Sequence, residues 1–408
     1  MFKISSIKKQ TSVLMLSIVS LITACNAVPD HHNKQTIEKD NQKTQNVQAG
    51  FSTETLSVGH GNEVPRYFTL DEKGRAALKN HDQAVNIFTP KFFLRDPYIM
   101  LGPDNYYYLT NTRLANILGG GKYDYLNEGV EIWRSKNLAD WELLGVPVRL
   151  KQLSNLDAML EKLKNKQHNN GKPLLWAPEL HYIDNKWYIT HTSNAQQAVL
   201  WVADDVMGPY KEAISASKFG HRHDPTLYQN HDGKNYLLYR AIEAVEMTEN
   251  WDDFIGKPWK INPADRKIGH EGTYVIKIDD TYVIFGTAWS TDKMRHGSYN
   301  LYYVTAKSIK GPYSKRKWVG RFLGHGTPFQ DKQGRWWITA FTNGKYVPFK
   351  QLMQQSRQDD KAYTMTPTGA MLVPVEIYKD ANGEVKFNVK DNRFKYPGPE
   401  EVQQFSIE

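Results

Sequence analysis

Cysteine is nearly missing from this 408-residue sequence: Cys25 stands alone. No internal disulfide can therefore form, and no thiol is left for catalysis in the body of the chain. There is no glycine-rich phosphate loop and no basic cluster interleaved with aromatics, which removes nucleotide and nucleic-acid readings. Helical patterning is scarce. "LSNLDAMLEKLKNK" from 153 has Leu153, Leu156, Leu160 and Leu163 on one face, and "DEKGRAALKNHDQ" from 71 allows a second short helix. What is abundant is aromatic and apolar: 12% and 40% of residues, enough for one large core or two ordinary ones.

The N-terminal 24 residues read as an export signal. Lys3, Lys8 and Lys9 form a basic head, and "SVLMLSIVSLI" is apolar but too short to span a bilayer comfortably. It ends in "LITAC", which resembles the lipobox of bacterial lipoproteins, and this resemblance implies that the Cys25 thiol is acylated and becomes the new N-terminus. The expectation is an exported lipoprotein of the outer membrane, on its periplasmic face or at the cell surface, held by the lipid alone. From residue 25 to about 55 the chain is polar and poor in apolar side chains, too little to fold, and is expected to be a disordered tether. The formal charge of +8 falls near +5 once the signal lysines are gone, a solvated surface rather than a nucleic-acid footprint.

Residues 56–408 contain a repeat. "RDPYIMLGPDNYYYLTNT" from 95, "WAPELHYIDNKWYITHTS" from 176, "HDPTLYQNHDGKNYLLYR" from 223, "HEGTYVIKIDDTYVIFGTAWS" from 270 and "GHGTPFQDKQGRWWITAFT" from 324 share one grammar. Each opens on a proline or glycine, runs through alternating apolar residues to a polar turn, and returns in an aromatic strand of period two. Heads at 96, 177, 224, 271 and 325 are 81, 47, 47 and 54 residues apart, near one propeller blade each, with an insertion in the first gap. The expected fold is all-β: a single five-bladed β-propeller with short helical insertions. The tail "GAMLVPVEIYKDANGEVKFNV" from 369 is a further hairpin able to supply the strand that locks the ring.

In a propeller the first strand of each blade lines the central channel, so its heads meet at one mouth. Aligned by their aromatic strands, the heads are Asp96, Ala177, Asp224, Glu271 and His325. Three carboxylates around one axis cost folding free energy through repulsion and desolvation, and propeller packing does not need them. Like charges in a shallow pocket keep one group protonated near neutrality while another stays ionised, the division of labour that glycosidic cleavage requires.

"RDPYI" at 95, "HDPTLYQNHDGKNYLL" at 223 and "HEGTYVIK" at 270, in that order, resemble glycoside hydrolase family 43, five-bladed propeller enzymes acting on arabinans, xylans and galactans. The resemblance implies an inverting hydrolase of plant or algal polysaccharides or oligosaccharides. Asp96 is then the base that activates water and Glu271 the acid. Asp224 orients the acid and raises its pKa, and the base and acid stand roughly 6.5–9.5 Å apart. His223 occupies a place where the family usually has an aliphatic residue or an acid. A second reading is a non-catalytic glycan-binding propeller.

Around these acids, Trp176 and Trp289 are candidate platforms for sugar rings, and Glu179 for sugar hydroxyls or an interblade ion pair. The resemblance gives His325 contact with substrate or with a channel ion such as calcium. No cofactor is required. "HRHD" at 221 lacks third and fourth ligands at zinc spacing. A carbohydrate substrate and a monomeric chain are expected. The glycine run "LGGGKYDYLNEG" from 118 is either a lip over the pocket or a long hairpin.

Overall fold

The computed structural model describes residues 50–59, 62–88, 94–113, 117–118, 122–123, 129–164, 173–293, 296–341 and 369–406. Cys25, the signal segment and residues 25–49 of the expected tether lie outside these. The end of that tether does not: Gly50–Phe51 is a strand, paired with Tyr67–Thr69.

Five antiparallel sheets follow one another along the chain. Blade 1 runs Leu94–Leu101, Tyr107–Arg113, Gly129–Ser135 and Asp140–Arg149 from the axis outward, and is extended by Tyr67–Thr69 and Gly50–Phe51 to six strands. Blades 2, 3 and 4 are simple four-stranded meanders beginning at Leu175–Ile183, Thr226–Gln229 and Glu271–Ile278. Blade 5 combines Pro328–Gln330 and Trp336–Phe341 with the tail hairpin Ala370–Lys379 and Val385–Val389. The expected hairpin grammar holds at Ile183–Lys186, where Asp184 and Asn185 both take positive φ (49° and 62°) to close a two-residue turn.

The ring is sealed by the N-terminal strand Val85–Ile87, which pairs with Ala370–Leu372 at the edge of blade 5. The tail hairpin thus provides the third and fourth strands of the last blade, and the lock is the joint it makes with the chain's early strand. Because every blade is flanked on both faces, second strands such as Tyr107–Arg113 are buried along their whole length. Separate hydrophobic clusters fill the five interblade gaps. The largest fully buried side chains among the described residues are five tryptophans: Trp133, Trp141, Trp201, Trp251 and Trp337.

The helices stay outside this ring. Glu72–Asn80 is capped by Asp71, whose carboxylate accepts from the Gly74 N–H at 2.7 Å. In the first-gap insertion the helix covers Leu156–Leu163 after a turn at Leu150–Gln152, and its buried face is Met159 and Leu163. Leu160, expected in that stripe, is 36% exposed. The helix begins at Leu156 rather than Leu153, so its inward phase runs 156, 159, 163. Of the glycine run from 118, only the short pair Ile117–Leu118 and Lys122–Tyr123 is among the described residues.

A row of threonines aims the blade heads at the axis. Thr110 and Thr112 lie two apart on the second strand of blade 1 and so share a face. The Thr110 hydroxyl donates to the Pro178 carbonyl of blade 2 at 2.5 Å, and the Thr112 hydroxyl accepts the Ala177 N–H at 2.7 Å. Thr190 repeats the first bond with Pro225 at 2.7 Å, and Thr287 repeats the second with the His325 N–H at 2.7 Å. The T-x-T spacing in "YYLTNT" and "YITHTS" is therefore an interblade staple, and it fixes where the neighbouring head can stand.

Candidate active site

The heads of blades 1, 2 and 4 carry a β-bulge. The register passes from Arg95↔Thr112 to Tyr98↔Thr110 in blade 1, from Trp176↔Thr192 to Glu179↔Thr190 in blade 2, and from Glu271↔Thr287 to Tyr274↔Phe285 in blade 4. In all five heads one residue takes positive φ: Asp96 50°, Ala177 44°, Asp224 46°, Gly272 64° and His325 56°. This corrects the expected equivalence of the heads. Glu271 matches Arg95 and Trp176, one residue before the bulge, and Gly272 holds the axial place. The reason is space: a Cβ on Gly272 would lie 2.9 Å from Thr287 Oγ1 and 3.2 Å from the Cα of His325.

Even so, the three acids converge, linked through two imidazoles. Asp96 Oδ1 lies 3.1 Å from His325 Nδ1, which lies 3.7 Å from Asp224 Oδ2. Asp224 Oδ2 lies 3.3 Å from His223 Nε2, which lies 3.2 Å from Glu271 Oε2. Asp96 also accepts the Thr112 hydroxyl at 2.7 Å, and Asp224 the Thr192 hydroxyl at 3.3 Å. The far oxygen of Glu271 accepts the Tyr299 hydroxyl and lies 3.6 Å from His270 Nε2.

These contacts set the charges. Burial pushes the Asp96 carboxyl up, but His325, Arg95 and the Thr112 hydroxyl outweigh it and hold it below its ordinary value. Burial likewise opposes ionisation of Glu271, and the bonds from His223 and His270 override it, leaving the acid well below the usual carboxylate range. Asp224 moves the other way, raised first by burial and then by Glu271 and Asp96. The expectation that Asp224 raises Glu271 is therefore corrected, because the bonds from His223 and His270 outweigh that repulsion. Burial works against a charge on each imidazole, yet Asp96 and Asp224 lift His325 to about 10, and Asp224 and Glu271 lift His223 to about 9. Both rings are cations at neutral pH.

A raised histidine contributes stability that is complete below its ordinary value of 6.5 and lost as pH rises through its folded value. The thermal midpoint is therefore expected to fall between pH 7 and 10, and His325→Gln to flatten that limb. A wild-type midpoint constant across this window in a thermal unfolding series would contradict the charge assignment.

The donor atoms of His223, Asp224 and Glu271 all lie within 4.8 Å of one another, close enough for a cation. The imidazole has a lone pair for an ion only when neutral, so a cation here would compete with the proton on His223.

Among the expected substrate contacts, Trp176 is at the mouth, half-buried, its ring edge-on to His223 at 6.4 Å. Trp289 is not a platform. It is 3% exposed and stacked behind Tyr299 at 4.6 Å, so it can act only by backing that tyrosine. Glu179 is also buried, its carboxylate 3.0 Å from His181 Nε2 within the channel wall. His270, Tyr299 and Arg95 complete the site without having been singled out. Only the recurrence of polar residues beside the heads hinted at them.

An axial cup of three carboxylates on a five-bladed propeller defines the class as a glycosidase scaffold. A family model for "Glycosyl hydrolases family 43" matches residues 89–359, and the chain belongs to that family. It is 22% identical over 291 residues to a xylan 1,3-β-xylosidase of Vibrio sp., covering 63% of this chain and 49% of that protein. It is 26% identical over 244 residues to a β-xylosidase of Bacillus subtilis, covering 55% and 40%. The chain thus spans half or less of the length of these relatives. Among solved structures, an endo-1,4-β-xylanase of Bacteroides thetaiotaomicron superposes with TM-score 0.52 at 18% identity, covering 74% of this chain and 98% of the other. A family 43 protein of Bacillus licheniformis superposes with TM-score 0.52 at 20% identity, covering 80% and 60%.

Proposed function

We propose that the protein is an inverting glycoside hydrolase that cleaves O-glycosidic bonds in plant or algal polysaccharides or their oligosaccharides, with xylosidase, arabinosidase or galactanase action. The observation that carries this is the linked row Asp96–His325–Asp224–His223–Glu271 at the axial mouth. Asp96, kept ionised, takes a proton from water as it attacks the anomeric carbon. Glu271 protonates the leaving oxygen from the other side, and Asp224 positions the imidazole that holds Glu271. Trp176 offers an apolar face at the rim for a sugar ring. The xylosidase and xylanase names of the relatives support a pentose substrate.

The same proposal places the enzyme outside the cytoplasm, anchored through lipid on Cys25 and acting as a monomer on a carbohydrate alone. Charge at the axis is balanced by His325 and His223 rather than by a bound ion. The test is hydrolysis of xylan, arabinan, galactan and algal glycans, with the anomeric configuration of the first product followed by proton NMR. Product of inverted configuration is expected. Retained configuration would remove the water-activating role of Asp96, and binding without product from any glycan would leave a non-catalytic receptor.

A further inference from the structure

The acid that must protonate a leaving group is here bonded at both oxygens, and its pKa is held down by the imidazoles beside it. On its Oε2 side the neighbour is His223. Its Nε2 lies 3.2 Å from Glu271 Oε2 and 3.3 Å from Asp224 Oδ2, a fork with one cation between two carboxylates from different blades. The side chain is 26% exposed, so the ring can exchange protons with solvent while its Nε2 edge faces the acids. The positive φ of Asp224, matching that of Gly272, sets this geometry. It turns the Asp224 carboxylate to the axis and leaves His223, one residue earlier, in the register place that Glu271 holds in blade 4.

We propose that His223 is a positioning residue for the acid, holding at Nε2 the proton that Glu271 passes to the leaving oxygen. This rests on the hydrolase reading above. As the glycosidic C–O bond breaks, the leaving oxygen takes a proton from Glu271, which draws one from His223 Nε2. The oxygen of water bonds to the anomeric carbon and its proton goes to Asp96. Asp96 then releases that proton to solvent and His223 regains one, so the cycle consumes only water and bond.

The surroundings favour a charged ring. Asp224 and Glu271 face it directly, and their pull raises its pKa to about 9 against burial. His325, from blade 5, is the like charge that opposes this. Trp176 of blade 2 and His221 each stand with ring centres 6.4 Å away, and Arg240 is tied to His221 at 2.8 Å. On the far oxygen of Glu271, Tyr299 and His270 keep the carboxylate fixed while the His223 side changes proton state.

His223→Gln keeps an N–H donor without an ionisable ring, and His223→Ala removes both. Each is compared with the full-length wild type on aryl β-xylosides and aryl α-L-arabinofuranosides carrying a poor (phenol) or a good (2,4-dinitrophenol) leaving group. For His223→Gln, kcat on the phenyl glycoside should fall about 10–100-fold, and on the dinitrophenyl glycoside, which needs no proton, by less than about threefold. The alkaline limb of kcat/KM should move at least one pH unit toward acid. Equal losses on both substrates, or an unmoved alkaline limb, would show a merely structural histidine and overturn the proposal.

A second measurement separates its failure from that of the hydrolase reading. The ring nitrogens of His223, followed by ¹H–¹⁵N NMR, should remain protonated past pH 8 in the wild type and titrate at least one unit lower in Glu271→Gln. If the wild type cleaves no glycoside, the hydrolase reading fails and the catalytic role with it, while the NMR result still decides whether the proton-holding pair exists. An ordinary titration near 6.5, unmoved by Glu271→Gln, would overturn the pair itself.

Discussion

Asp96→Ala is expected to lower kcat by about 10³–10⁴-fold on any glycoside the wild type cleaves, whatever its leaving group. The loss is general because the base acts on water, and every substrate needs that water. The fold should survive. Asp96 sits in an inward bulge held by backbone pairing on either side, at Arg95↔Thr112 and Tyr98↔Thr110, and its carboxylate bonds only within the cup. Removing it does strip His325 of its nearest anion, so the alkaline fall in thermal midpoint should begin at a lower pH in the variant. Asp96→Asn keeps the shape and should be equally inactive. Turnover above one-tenth of wild type in either variant, with native circular dichroism, would end the assignment of Asp96 as base.

Glu271→Ala is expected to separate substrates instead. With phenyl glycosides or oligosaccharides, whose alkoxide or phenoxide leaves poorly, kcat should drop about 10²–10⁴-fold. With a dinitrophenyl glycoside, which departs unaided, it should stay within roughly tenfold of wild type. The variant also leaves the His223 and His270 rings without their shared anion and the Tyr299 hydroxyl without an acceptor, so His223 should titrate closer to an ordinary histidine. A uniform loss across leaving groups would mean that Glu271 does not deliver a proton, and steady-state kinetics over a leaving-group series decides it.

The parts of this site legible in the sequence are those that repeat. Asp96 and Asp224 announce themselves as acids before proline at the head of an aromatic hairpin, and the five-blade count follows from the recurrence of that hairpin. Glu271 is legible as an acid but not in its place, because the bulge position tolerates Asp, Ala, Gly or His. Alignment by the aromatic strands then slips by one residue, and only the crowding between Gly272 and His325 shows which residue is axial. The family resemblance puts the pKa of Glu271 up, whereas His223 and His270 hold it down. His223 reaches Glu271 from another blade and Tyr299 from the third strand of its own, contacts that no spacing along the chain carries, while His270 is simply the residue before it.

Trp289 and Glu179 illustrate a different limit. Both obey the strand alternation that puts side chains toward the mouth, yet one is covered by Tyr299 and the other is tied to His181. With eleven tryptophans in similar strand contexts, the sequence holds no mark that separates a rim residue such as Trp176 from a wall residue. Depth along the channel is set by which neighbour covers the ring, a property of the assembled blades.

The joint between Val85–Ile87 and Ala370–Leu372 has a consequence for biogenesis. Nearly three hundred residues separate the two halves of that seam, so a ribosome must finish most of the polypeptide before the circle can close. A nascent chain stopped short of residue 370 carries raw strand borders at both ends, the kind of surface that recruits other copies into aggregates. Closure is thus a late checkpoint: premature termination leaves a sticky crescent, and only a completed molecule hides its own edges.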